Sequence, residues 1–451
     1  MDSRNLIRRR SARVLMAAVA TSAVVSLAAC APPGSSSGTS TPTSAAVSTE
    51  LTSEDITLSF YLESNFVGQM QPLMDEFTKQ HPNVTFSVQS DDFTNLMQNA
   101  MKIIASPGAP DLVRFPTVQA AAKNGILTNL QPYAEAYGWD EWPEGLLNQV
   151  KVDADGNRGS GDLYSLGVGY SVTGVYYNKK LAEQAGITSA PTTPEEFKKD
   201  LALAKAAGIT PISAWGQAGG VAFPLQAVQM NEFGQTDELT SWLYQQPDAT
   251  YDTDAAVSAA AEIQDWADKG YFPDDVNALD YTTGMARFVN GESLFVFNGD
   301  WESTSLASKM GDDVGFFLYP STTSTHYAMQ APATFVIPKT AAHADATAYF
   351  LNWVHTDETA RQLVVEATGQ NPGGPADLPQ PEATSELQAQ TLAASAQAAS
   401  ENGSVDFVAN ATAGIMASAF IPNLQLLVTD RMTPEEFATS VQEAYTTELG
   451  R

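Results

Sequence analysis

The chain has 451 residues, one cysteine and a formal charge of −29. That length suggests about three domains or two large ones, and 43% hydrophobic with 9% aromatic residues is enough apolar surface to exclude wholesale disorder. One cysteine excludes an internal disulfide framework and any thiolate-built zinc or iron–sulfur site, and so acidic a chain is a poor nucleic-acid binder.

The charge is uneven. Arg4, Arg8, Arg9, Arg10 and Arg13 face only Asp2 in residues 1–29, which carry +4, leaving −33 for the rest. Val14 to Ala29 is an uncharged run of 16 residues. A spanning helix needs about 20 apolar residues, so residues 1–29 read as a signal peptide. The run ends in Leu27-Ala28-Ala29-Cys30, which resembles the bacterial lipobox. That resemblance implies acylation of Cys30 and a lipid anchor on the outer face of the cytoplasmic membrane. Arg8-Arg9-Arg10 raises twin-arginine export, but the following residues match that pattern poorly, which favours ordinary secretion. Residues 30–54, rich in Ser, Thr, Gly and Pro, read as a flexible tether. Gly34-Ser35-Ser36-Ser37-Gly38 within it matches G-x-S-x-G formally but lacks the strand–turn–helix context of a nucleophile elbow.

The folded part begins near Asp55. Ile56, Leu58 and Phe60 alternate as in a strand, and Met70, Leu73, Met74 and Phe77 mark a helix face. Val84, Phe86 and Val88 alternate again. Phe93, Leu96, Met97, Ala100, Met101 and Ile104 mark a second helix face, and Asp111–Phe115 is a short strand after a Pro-Gly turn. This β-α-β-α-β order predicts a parallel sheet covered by helices. Further on, Val172–Tyr177 reads as a strand and Lys179–Ala185 as a short helix. Thr193-Pro194-Glu195-Glu196-Phe197 reads as a capping box opening a helix. The same five residue types recur at 433–437. Leu294, Val296 and Phe297, then Thr334–Ile337, suggest buried strands. A helix turns Phe350, Trp353 and Val354 inward, and the chain reads as helical from about Thr384.

Several segments together resemble the bacterial extracellular solute-binding proteins of the carbohydrate-uptake type, the family of maltose-binding protein. They are Phe77-Thr78-Lys79-Gln80-His81-Pro82-Asn83-Val84; Ala109-Pro110-Asp111-Leu112-Val113; Leu127-Thr128-Asn129-Leu130-Gln131-Pro132-Tyr133; Tyr176-Tyr177-Asn178-Lys179 with Ala185-Gly186-Ile187; and Phe288-Val289-Asn290-Gly291-Glu292 followed by Asn298-Gly299-Asp300-Trp301. Pro194 stands where a tryptophan is usual, and Gly167-Val168-Gly169 where a proline is common. The resemblance implies an α/β, two-lobed periplasmic-binding-protein-like fold of type II, with discontinuous lobes of residues 55–168 plus 333–369 and 170–330 plus 375–451. Crossings would lie near Val168–Tyr170, Gln330–Ala333 and Gly369–Pro375. It further implies a monomeric, non-enzymatic receptor without cofactor. Such a receptor would bind a di- or oligosaccharide between the lobes and deliver it to ABC permease subunits driven by a cytoplasmic ATPase.

A sugar has apolar C–H faces and polar edges, so its receptor needs flat aromatics and planar polar groups. The family's G-x-W motif points to Trp301, with Asn298 and Asp300 beside it. Trp215 stands in a loop after a strand. Glu63 and Asn65, the pair Asp91 and Asp92, and Arg114 with Phe115 follow the first three strands, where open α/β sheets form their crevice. Only one of the two aspartates is expected to face the cleft. Tyr170 and Asn371 stand at crossings. Trp139, Trp142, Trp242, Trp266 and Trp353 lie in helical patterns and are expected to pack. Another solute, such as a polyamine or amino acid, is the main alternative, and a secreted glycoside hydrolase a lesser one. The four histidines show no metal spacing. Asp153-Ala154-Asp155-Gly156-Asn157 begins like a calcium loop but has Tyr164 where the twelfth-position Glu belongs, so it reads as a polar turn.

Overall fold

The alternating runs become strands in a computed structural model. It describes residues 47–451 apart from Pro143 and Ala376, with the backbone alone for Asn65, Phe93, Thr94, Glu144 and Gly145. The expected signal peptide, Cys30 and most of the expected tether lie outside these residues. Among the described residues eleven strands are formed: β1 Ile56–Glu63, β2 Val84–Asp91, β3 Leu112–Arg114, β4 Lys151–Val152, β5 Asp162–Leu163, β6 Leu166–Asn178, β7 Thr210–Ser213, β8 Ser293–Gly299, β9 Val314–Phe317, β10 Ala328–Val336 and β11 Ser404–Val405. Nine share one sheet in the order β2-β1-β3-β10-β6-β8-β7, with β11 beside β10 and β9 beside β6; β4 and β5 form a separate hairpin. The first three strands are parallel, as their helical crossovers require. The long strands β6 and β10 run antiparallel to each other.

Helices α1 (Ser64–Gln80) and α2 (Phe93–Ile104) connect the first three strands. Met70, Leu73, Met74 and Phe77 are all buried, as their spacing predicts. Asp92 caps α2 by accepting from the Asn95 amide. Thr193 caps the helix Pro194–Ala206 in the same way, but the box is one-sided. The Glu196 carboxylate reaches the amide and hydroxyl of Thr192. At Thr433 and Glu436 the reciprocal box is complete.

Two further expectations are corrected. The C-terminal region is not continuously helical, because Gly403 and the short β11 interrupt it before the helices Ile421–Leu427 and Pro434–Leu449. The tether ends earlier than residue 54. Val47 and Leu51 pack against the first core, and the Asn83 amide donates to the carbonyls of Thr52 and Glu54.

Buried side chains gather in separate clusters. Two draw only on residues 58–168 and 333–364, around Phe60, Phe77, Phe335 and Phe350. Two others draw only on 172–329 and 387–445, around Phe197, Trp242, Phe295 and Phe437. The molecule is therefore two-lobed, and the long strands pass between the cores. Leu166–Val172 of β6 pairs with β10, and Thr173–Tyr177 pairs with β8. Pro332 faces Tyr170 just before a register shift, where its missing N–H weakens the ladder. The Tyr170 amide also donates to the Asn371 carbonyl at 2.8 Å. Gly373 next to it has φ +66°, and a Cβ there would stand 2.1 Å from the Tyr170 ring, so glycine is required on both counts. Among the described residues no helix is long and apolar enough to cross a membrane.

Candidate ligand-binding site

Strand β8 ends at Gly299, and a short helical turn, Asp300–Glu302, presents Trp301 beyond it. The indole folds back over Gly299, where a Cβ would lie 2.0 Å from the ring. The glycine of the G-x-W motif is thus needed to let the ring lie flat. Trp301 remains half-buried. Phe223 and Phe407, also half-buried, stand 6.3 and 6.2 Å from it, centroid to centroid.

Behind this aromatic group is a residue that the motif search missed, Tyr281. It opens the helix Tyr281–Val289, which is capped by Asp280. Its hydroxyl accepts from the Trp301 indole at 3.1 Å and from the Asn298 amide at 3.2 Å, and it donates to Glu302 at 2.5 Å. Burial and the neighbouring Glu302 carboxylate push the Tyr281 hydroxyl well above its ordinary pKa, so it stays protonated.

Trp215, expected as a second platform, is 1% exposed. Gly220 and Gly284 press against its indole, and the Tyr281 ring meets it at 4.8 Å and 74°. It has no open face and braces Tyr281 instead. Asn298 is fully buried and Asp300 is 1% exposed. Asn298 serves Tyr281 and its own following amide. One Asp300 oxygen accepts from the Val172 amide at 3.1 Å, and the other has no partner among the described residues. Burial pushes the Asp300 carboxyl well above the usual carboxylate range. Both residues support the platform from the strand side rather than facing outward.

The residues at the ends of β1–β3 form a different group. Arg114 donates to the carbonyl and hydroxyl of Thr334 and lies over the Phe66 and Phe335 rings, 5.1 and 5.9 Å from their centroids. Burial lowers its guanidinium to about 10, against the pull of Glu63, so it stays charged at neutral pH. Asp91 is half-buried, accepting from the Tyr61 hydroxyl and the Asn95 side chain, whereas exposed Asp92 is taken up by the α2 cap. The side chain of Asn65 lies outside the described residues. Tyr170 is 1% exposed, enclosed by Gly373 and His355, so its ring is not an outward platform. Asn371 holds the Gly373 amide.

A groove of about 500 Å³ is lined by Phe115, Thr117 and Gln119 on one side and by Gln245, Thr412 and Glu448 on the other. Each side belongs to a different lobe. Gln119 is 4% exposed, and its amide nitrogen is buried without a partner among the described residues. The Glu448 carboxylate secures the far wall by accepting from Thr412, the Gly414 amide and Ser418. Phe407 and Thr412 lie on one segment, so the groove wall and the aromatic group are joined through the backbone. Phe115, expected at the site, borders the groove but is 2% exposed and packs in the first lobe's core; Gln119, Gln245, Phe407 and Thr412 lie in no recognisable motif. The five other tryptophans are buried, as expected. In the calcium-like turn, Asp153 accepts from the amides of Asp155 and Asn157 and from the Asn157 side chain.

Two α/β lobes, long strands passing between them and a groove lined from both define a two-lobed binding protein of type II. The family model for bacterial extracellular solute-binding proteins matches residues 63–361, and the chain belongs to that family. Comparison with curated proteins finds no match. Among solved structures, a chitin oligosaccharide binding protein is similar, with a TM-score of 0.72 at 21% identity, over 88% of this chain and 100% of its own. Maltose-bound MalE3 of T. maritima has a TM-score of 0.66 at 17% identity, over 87% and 99%. A substrate-binding protein from Listeria monocytogenes in complex with cycloalternan has 0.65 at 17%, over 87% and 99%. At these identities the likeness is one of fold.

Proposed function

We propose that the protein is the extracytoplasmic receptor of an ATP-driven sugar importer. It takes a di- or oligosaccharide between the lobe of residues 55–168 and 333–369 and the lobe of 170–330 and 375–451. It then hands the sugar to the transmembrane subunits of a permease coupled to a cytoplasmic ATPase. The observation that carries this reading is the half-buried face of Trp301, flanked by Phe223 and Phe407 and held from behind by Tyr281. A pyranose stacks its C–H face on such a ring and turns its hydroxyls to planar polar groups. One of these similar structures is named a chitin oligosaccharide binding protein and the other two are bound to maltose and cycloalternan, which supports the carbohydrate class.

Ligand would favour the closed arrangement of the lobes, and the permease would read closure. No covalent chemistry enters this role. The receptor would act as a monomer, held at the membrane through acylated Cys30. A thermal-shift panel of mono- to oligosaccharides, amino acids and polyamines tests the reading. A ligand bound only by the native state at 100 times its Kd stabilises by about 2.7 kcal/mol. A rise in melting temperature with sugars supports the proposal. A response to polyamines or amino acids alone reassigns the solute, and release of free sugar from the oligosaccharides would make the protein a hydrolase.

A further inference from the structure

The β4–β5 hairpin is rooted in the first lobe. Val150, Val152 and Leu163 lie in its cores, the Leu130 amide donates to the Leu163 carbonyl, and the Asn129 side chain donates to Asp162. Its tip crosses to the second lobe. The Arg158 amide donates to the Tyr244 carbonyl at 3.0 Å, and Gln246 donates back to the Arg158 carbonyl at 2.7 Å. The guanidinium donates to Asp406 at 2.5 Å, to the Leu243 carbonyl at 2.9 Å and to the Asn410 carbonyl at 3.3 Å, and it lies 5.1 Å from the Tyr244 ring centroid. Leu243 and the neighbours of Asp406, Val405 and Val408, belong to the second lobe's core. The two charged side chains are 3% and 2% exposed.

Asp406 continues the connection. Its second oxygen accepts from the Phe407 amide and from the Asn410 side chain, both at 2.7 Å. It therefore shapes the turn that sets Phe407 beside Trp301. Asp155 and Asn157, next to Arg158, line the inter-lobe groove with Gln245. We infer that Arg158 is a positioning residue for ligand binding: it ties one lobe to the other and, through Asp406, holds the Phe407 turn against the aromatic platform.

The physical argument starts from cost. Burying two charges takes them out of water, and an apolar pair of similar volume is often as stable, so a buried ion pair is weak evidence for a stabilising role. A pair that spans two cores instead selects one arrangement of those cores. Separating the lobes carries the hairpin tip with one core and Asp406 with the other, which leaves two buried charges apart. The apparent ligand affinity then scales with the fraction of molecules in the paired arrangement.

The inference rests on the sugar-receptor reading only for its choice of ligand. The test uses the parent protein, Arg158→Lys, Arg158→Gln and the double variant Arg158→Met with Asp406→Asn. Each is measured by calorimetry against the best sugar of the thermal-shift panel, by small-angle X-ray scattering without ligand, and by melting temperature. Arg158→Gln and the double variant are expected to weaken binding about tenfold or more and to enlarge the ligand-free radius of gyration, while Arg158→Lys keeps most of the affinity. A lowered melting temperature with unchanged affinity and radius would show a structural pair alone and overturn the inference. If Arg158→Gln does not fold, the double variant, which orphans no buried charge, carries the same comparison. If the parent binds no sugar, the solute reading fails, and an unchanged or enlarged ligand-free radius still decides the role of the ion pair.

Discussion

The Trp301 indole N–H donates to the Tyr281 hydroxyl at 3.1 Å, so the polar edge of the platform is bound to the protein itself. What Trp301 offers a ligand is its face. The same hydroxyl accepts from Asn298 and donates to Glu302, which uses its single donor and both acceptor positions. The ring's orientation is thereby set by the helix that starts at Tyr281, and Trp215 backs that helix from the core.

Trp301→Ala should weaken sugar binding by about 1–3 kcal/mol with little change in stability. Trp215→Ala should do the opposite in order of size, lowering folding stability by about 3–5 kcal/mol through the cavity it leaves. Calorimetry and urea unfolding of both variants separate the two roles. Equal sugar affinity of Trp301→Ala and the parent would remove Trp301 from the site.

Tyr281→Phe keeps the ring against Trp215 but frees the indole N–H, the Asn298 amide and Glu302. Affinity should fall by about 1 kcal/mol, since the platform loses its fixed orientation. The loss should be smaller in a Trp301→Ala background, because the two residues act through one contact. A double-mutant cycle measured by calorimetry checks this, and strict additivity would count against it.

Asp300→Asn should stabilise the protein at neutral pH. Burial raises the Asp300 pKa above its value in the unfolded chain, about 4, so the native state binds this proton more tightly. The stability tied to that proton is full below the unfolded pKa and is lost as pH rises above it. Asparagine can still accept from the Val172 amide and does not titrate. The variant should therefore gain about 1–3 kcal/mol at pH 7, with the gap closing toward pH 4. Urea midpoints at several pH values measure it, and a less stable variant at pH 7 would contradict the account.

His355 is buried between crossing segments, its ring nitrogens 2.6 and 2.7 Å from the carbonyls of Gly167 and Pro372. Burial first, with Arg361 adding to it, lowers its pKa to about 4 despite those two carbonyls. The unfolded chain takes up this proton near pH 6.5. Stability from this group is thus present above pH 6.5 and is lost as pH falls toward 4, by about 3 kcal/mol at most. Against the carboxylate background, His355→Gln should show a shallower loss between pH 6.5 and 4. Parallel curves for parent and variant would rule this contribution out.

The sequence by itself determined the local elements. The apolar spacing of Met70, Leu73, Met74 and Phe77 could bury only one face, and the helix between β1 and β2 set a parallel opening. Gly299-Asp300-Trp301 stood out only through the family resemblance, and the structure supplies its physical reason, a ring lying where a Gly299 Cβ would stand 2.0 Å away. Only the tertiary structure decided which aromatics stay open. Trp215 and Tyr170 stand where ligand-facing residues belong, yet both are closed off by residues far along the chain, Gly284 and Tyr281 in one case and Gly373 and His355 in the other. Phe407 and Gln119 carry no periodic signal, and the lobe-spanning contact of Arg158 with Asp406 joins residues 248 apart. Periodicity reports the face an element must bury, whereas exposure at a site depends on what distant segments leave uncovered.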